Sequence, residues 1–171
     1  MIKMDSDQNA GRTWAADVSD AHDDAQVVGV HFLSFGGHSY CIGPAELVST
    51  NDDNSLVSSV LDEAGEGRVL VVDNGASTNC AMLGGDLARK AAKNGWAGVI
   101  VYGVVRDTVE LRNAALAVFA LRACPRKSVK RGIGERTAEL DLPGARIRQG
   151  DVVVADADGV VVTPVDTFRA P

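Results

Sequence analysis

Two apolar runs dominate the middle of the chain. RVLVVD (68–73) and WAGVIVYG (96–103) are short and rich in Val and Ile, the pattern of strands buried on both faces. Between them, after the glycine-bearing loop NGAS (74–77), GGDLARKAAKNG (84–95) changes period. Leu87, Ala88, Ala91 and Ala92 fall on one helical face, and Gly95 stands at the C′ position. Strand, helix and strand at this spacing predict a βαβ unit with parallel strands.

The flanks carry more strand signal and less helix. WAADVSDAHDDA (14–25) predicts a short acidic helix, while VVGVHFL (27–33) and SYCIGPAELV (39–48) read as strands on either side of Gly36-Gly37. NSLVSSVLDEAGEG (54–67) has helical spacing through Leu56, Val57, Val60 and Leu61, with Asn54 or Ser55 as cap and Gly65 or Gly67 as stop. LRNAALAVFALRA (111–123) leads into a polar loop, and residues 145–164 read as an antiparallel meander. DADG (156–159) is expected as a β-turn, since it lacks the later ligands of a calcium loop. A parallel core with a β-rich periphery excludes a plain doubly wound sheet. Residues 1–12 read as a polar, disordered tail and 13–171 as one domain.

Composition narrows the function. The chain has 171 residues and net charge −6, against the basic excess expected of a nucleic-acid binder. The run Arg122, Arg126, Lys127, Lys130, Arg131 and Arg136 is expected to be a solvated face, with the lysines at the surface rather than in Schiff-base chemistry. Cys41, Cys80 and Cys124 lack zinc spacing and suggest a reducing compartment. His22, His31 and His38 have no metal-binding spacing, and His31 is expected inside a strand. With no apolar leader and no membrane span in the pattern, a cytoplasmic protein is the expectation.

One constellation could do chemistry. The strand ending near Tyr102 delivers Arg106 and Asp107, its partner ends at Asp73, and the helix beginning near Gly84-Gly85-Asp86 offers free backbone N–H groups. Ligands of α/β sheets collect at such strand ends. Arg106 can grip a carboxylate bidentately, and Asp107 supplies the hard oxygen that Mg²⁺ prefers.

RVLVVDNGASTNCAMLGGDLARKAAKNGWAGVIVYGVVRDTVEL resembles the signature of the RraA-like family, which includes 4-hydroxy-4-methyl-2-oxoglutarate aldolases and regulators of ribonuclease activity. The resemblance extends to AADVSDAHDDA, FLSFGGHSYCIGPA, VFALRACPRKSVKRGIGE and GDVVVADADGVVVTP. It implies a three-layer β/β/α swivelling-type α/β domain, assembled as a homotrimer or a dimer of trimers with sites at subunit clefts. In the aldolase branch it implies Arg106 on the pyruvyl carboxylate of a small keto-acid and Asp107 on Mg²⁺ or Mn²⁺. It also implies backbone donors from Gly84, Gly85, Asp86 and Leu87, with Asp86 organising a water. Oxaloacetate decarboxylation is implied as a side activity.

The best-known ribonuclease regulator lacks the aspartate beside the arginine, so the intact pair favours the lyase branch. The alternative is a non-catalytic trimeric adaptor that contacts a ribonuclease. Two departures stand out: the branch often carries its loop acid one position earlier, at Gly85, and its longer members add a C-terminal acid from a neighbouring subunit. The family's methyltransferase label finds no glycine-rich nucleotide loop here.

Overall fold

The predicted βαβ unit is the centre of the molecule, described by a computed structural model over residues 14–170, so the predicted tail lies outside the described residues. In it β4 (Val69–Asp73), α3 (Gly85–Lys93) and β6 (Gly98–Val105) follow one another, with β4 and β6 parallel from Val69 opposite Gly98 to Asp73 opposite Tyr102. A short strand, β5 (Ala81–Leu83), precedes α3 and pairs with the far end of β6. β3 (Cys41–Ser49) and β7 (Ala117–Ala123) extend the parallel sheet on either side. α2 (Ser55–Leu61) links β3 to β4, and α4 (Thr108–Arg112) links β6 to β7.

β3 belongs to two sheets. Its first half runs antiparallel to β11 (Val152–Asp156), and from Ala45 onward it runs parallel to β4. The hand-over follows Pro44, which lacks the N–H that a central strand would need. β12 (Gly159–Thr163) returns on β11 through the predicted turn, with Asp156 opposite Gly159.

Alternate residues of the parallel strands feed two cores. Leu70, Val72, Val99 and Val101 pack with Val57, Leu61, Ala88 and Ala91 of the helices. Val69, Val71 and Ile100 face Val153, Ala155, Val160 and Val162 of the second sheet. This is the expected β/β/α layering. α1 (Trp14–Ala21) closes the outer face by setting Trp14 and Val18 against Val152, Val154 and Val161.

Three expectations need correction. The strand expected over 27–33 is two fragments: β1 (Gln26–Val27) pairs with β12, and β2 (Leu33–Ser34) with β7. The intervening chain crosses between the two sheets, where Gly29 N–H meets the Pro143 carbonyl at 2.6 Å, and His31 is exposed outside both strands. The meander over 145–164 breaks because β10 (Ala145–Arg148) pairs instead with β9 (Glu139–Leu142), across the Pro143-Gly144 turn. The helix expected over 54–67 ends at Leu61, because Gly65 leaves the helical path to donate to Asn94 O and pack on the Trp96 backbone. β8 (Glu135–Arg136) is a short addition to the edge of β3.

Cys41, Cys80 and Cys124 are free thiols. No helix among the described residues is long and apolar enough to cross a membrane.

Candidate active site

β6 ends at Val105, and the next two residues turn away from the sheet at its carboxyl end. Asp107 is left-handed (φ 57°, ψ 47°) and is the N-cap of α4. Aspartate tolerates that region better than most residues, yet it is still a strained choice of the kind that collects at functional sites. The turn aims Arg106 and Asp107 into a cavity of about 220 Å³. Gly84, Asp86 and Leu87 form its wall on the α3 side.

Arg106 and Asp107 form an ion pair that leaves both side chains partly open. Nε of Arg106 stands 3.5 Å from Oδ2 of Asp107, and each side chain keeps over a third of its surface open. The same Oδ2 also accepts the Gly85 N–H at 3.1 Å. Oδ1 has no hydrogen-bond partner among the described residues. The N–H of Gly85, expected to contribute a donor, is thus spent on holding Asp107, and Gly85 does not line the cavity. The N–H groups of Asp86 and Leu87 lie in the first helical turn and have no intrahelical acceptor, since Ala88 N–H is the first to reach a carbonyl, that of Gly84.

Gly84 leaves room for the charged pair. A Cβ there would lie 2.6 Å from Asp107 Oδ2 and 3.3 Å from Arg106 Nε. Gly84→Ala is expected to displace both charged groups by about an ångström, with an unchanged far-ultraviolet circular dichroism spectrum. A crystal structure of the variant with Arg106 and Asp107 unmoved would show that the loop does not position the pair.

The remaining predicted groups divide. Asp86 reaches the cavity but is almost wholly exposed and ion-paired with Arg89, which also binds Glu110 at 2.7 Å. The space a side chain at Gly85 would fill is taken by the carboxylate of Glu110. Asp73 caps its own turn by accepting Gly75 N–H at 2.8 Å and does not line the cavity.

Sequence reasoning missed the opposite wall. Lys127, Ser128 and Lys130 line it, together with Asn54. All six basic residues of the run are exposed, as expected of a solvated face, and two of them, Lys127 and Lys130, also line the cavity. The run's backbone is clamped by two residues ahead of α2. Ser128 Oγ donates to Asn54 Oδ1 at 2.6 Å, and Asp53, fully buried, accepts N–H groups from Ser55, Arg131 and Ile133 at 2.7, 2.5 and 3.3 Å. Burial alone would push the Asp53 carboxyl up, but hydrogen bonds from Ser55, Arg131 and Ile133 outweigh it and hold the group well below the usual carboxylate range. The Asx-rich string NDDNS before a helix is the signal that could have located this clamp.

No group of three His, Cys, Asp or Glu residues suited to a metal occurs among the described residues. A single carboxylate with one uncommitted oxygen at a cavity suits Mg²⁺ or Mn²⁺, which keep several waters and accept substrate oxygens as further ligands.

Comparison with known proteins points one way for the fold and several ways for activity. The family model described as "RraA-like: Aldolase/RraA" matches residues 15–162. A Burkholderia mallei protein provisionally named 4-hydroxy-4-methyl-2-oxoglutarate aldolase is 48% identical over 153 residues, covering 86% of this chain and 93% of its own. The solved structure of the RNA-processing inhibitor RraA from Thermus thermophilis superposes with a TM-score of 0.85 at 42% identity, covering 90% of this chain and 93% of its own. A Geobacillus kaustophilus structure described as an S-adenosylmethionine: 2-dimethylmenaquinone methyltransferase reaches 0.86 at 42% identity, covering 89% and 95%.

Proposed function

We propose, from the premise that this chain belongs to the RraA-like family, that it is a divalent-metal-dependent carbon–carbon lyase. Its substrate in this reading is 4-hydroxy-4-methyl-2-oxoglutarate, cleaved to two molecules of pyruvate, with oxaloacetate decarboxylated at the same site. One observation carries the reading: Arg106 and Asp107 are ion-paired at 3.5 Å through a single nitrogen and a single oxygen, yet both line one cavity and each keeps over a third of its side-chain surface open to it. The name of the Burkholderia relative supports the same reaction.

Arg106 clasps the carboxylate of the 2-oxo acid through its planar fork, and the free N–H groups of Asp86 and Leu87 add donors from the positive end of α3. Asp107 would hold Mg²⁺ or Mn²⁺ through Oδ1, its Oδ2 being fixed by Gly85. Such an ion, when bound, polarises the keto group and lowers the energy of the developing enolate. Asp86, directly or through a water, takes the proton of the 4-hydroxyl. The C3–C4 bond breaks as the C4 oxygen becomes a ketone, releasing the first pyruvate. The electron pair passes to the remaining three-carbon fragment as its enolate, and protonation at C3 gives the second pyruvate. Oxaloacetate losing CO₂ leaves the same enolate.

Coupled assay of pyruvate release from both substrates, with Mg²⁺ and then with EDTA, tests this. EDTA-sensitive turnover is expected. Arg106→Lys keeps the charge but loses the fork, and its kcat/KM should fall by about a hundredfold; unchanged kinetics would remove Arg106 from the carboxylate. The likeness to the Thermus RNA-processing inhibitor favours a second reading, an adaptor for a ribonuclease. Absence of turnover with both substrates, together with capture of a ribonuclease, would establish it instead.

A further inference from the structure

We propose that Lys127 and Lys130 recognise the second carboxylate of a dicarboxylic 2-oxo acid, so that the cavity selects dianionic over monoanionic substrates. The inference rests on the pyruvyl-binding reading above and adds the residues that choose the substrate's tail.

Placement comes first. Ala81 of β5 pairs with Val104 of β6 on one side and, through a single parallel bridge, with Lys127 on the other. The Ala81 N–H donates to Arg126 O at 2.8 Å, which fixes that register. Two strand spacings put the Lys127 backbone about 10 Å from β6, the strand that delivers Arg106. Arg106 and Lys127 therefore rise from opposite flanks of β5, and both line the same cavity. A five-carbon diacid gripped by Arg106 at its oxo-acid end would extend its other carboxylate toward the lysines.

Charge comes second. Asp86 is ion-paired with Arg89 and Asp107 with Arg106, so neither carboxylate is paired with the lysines. Lys127 and Lys130 make no ion pair among the described residues. In a chain of net charge −6, two unpaired ammonium groups at one cavity wall are a local excess of positive potential.

Rigidity is the third consideration. Exposed lysines usually wave in solvent, but the backbone between these two is pinned through Ser128 to Asn54 and, just beyond them, through Arg131 to the buried Asp53. The stems move while their origins do not. A lysine is a point charge without the directional fork of arginine. Arginine would fix the reacting end and the lysines would accept tails of differing geometry.

Titration calorimetry on the Mg²⁺-loaded protein, with 2-oxoglutarate and 2-oxopentanoate as probes, decides the matter. The two probes share chain length and oxo-acid end and differ in the terminal charge. Wild type should prefer 2-oxoglutarate by tenfold or more, and the preference should shrink as salt is raised. The variant Lys127→Met/Lys130→Met should lose at least tenfold for 2-oxoglutarate, bind 2-oxopentanoate as before and melt at the wild-type temperature. Lys127→Arg/Lys130→Arg should restore the preference. Equal binding of both probes by wild type, or a preference that survives the Met substitutions, would overturn the assignment while leaving the Arg106 pocket standing. Failure of wild type to bind either probe would count against the pyruvyl site itself, and the lysine assignment would fall with it.

Discussion

Asp107→Asn is expected to abolish EDTA-sensitive pyruvate release from both substrates, by about three orders of magnitude or more, with the melting temperature nearly unchanged. The size follows from what the carboxylate does in the proposed site: it is the sole protein anchor for the ion, and charge stabilisation at a developing enolate is a dominant catalytic contribution. Asparagine is the informative replacement. It tolerates the left-handed backbone at φ 57° and its amide oxygen can still accept the Gly85 N–H at the start of α3, so the local structure survives while the anionic ligand does not. Asp107→Ala loses that bond as well and should be equally inactive but slightly less stable. Steady-state kinetics beside thermal melts separate these effects. An active Asn variant would mean that the carboxylate anchors no ion.

The second large effect concerns stability. Asp53→Ala should destabilise the fold by about 3 kcal/mol or more, because three N–H groups lose a charged acceptor in a buried place. In a domain of this size that corresponds to a melting temperature lower by roughly 10 °C. Its pH dependence has a definite sign. The folded Asp53 carboxyl is held below its ordinary value, the hydrogen bonds from Ser55, Arg131 and Ile133 outweighing burial. The stabilisation is therefore fully present above the unfolded pKa of about 3.9, and is lost as pH falls through the lower values at which the folded carboxyl protonates. Melts at pH 7 should show the full gap between wild type and Asp53→Asn, and melts below about pH 4 a shrinking one. A gap that widened in acid would contradict the hydrogen-bonded carboxylate. Both Asp53 variants also release the loop bearing Lys127 and Lys130.

What was legible in the sequence was whatever local pattern decides. The unit β4–α3–β6 follows from apolar runs and one period change, and Gly95 (φ +79°) sits at C′ as its position predicted. Arg106, Asp107, Gly84, Asp86 and Leu87 could be placed together because strand ends and helix starts converge in any parallel βαβ unit. What stayed hidden depended on non-local pairing. β5 is three residues long and owes its existence to the far end of β6. Lys127 and Lys130 reach the cavity only because their segment pairs with Ala81, far away in sequence. Gly85 was assigned a ligand-binding donor that the folded chain uses on Asp107, a distinction no spacing rule encodes. The break at 27–33 has the same origin: those residues alternate like a strand, but no single sheet edge is available along their length.

A crystal structure of the protein with Mn²⁺ and oxalate, a planar mimic of the pyruvate enolate, puts the proposed division of labour between Arg106 and Asp107 to the most direct test. An anomalous peak within coordination distance of Asp107 Oδ1, with the oxalate bridging that ion and the Arg106 guanidinium, is the expected result. Manganese bound elsewhere, or oxalate held without either residue, would contradict it.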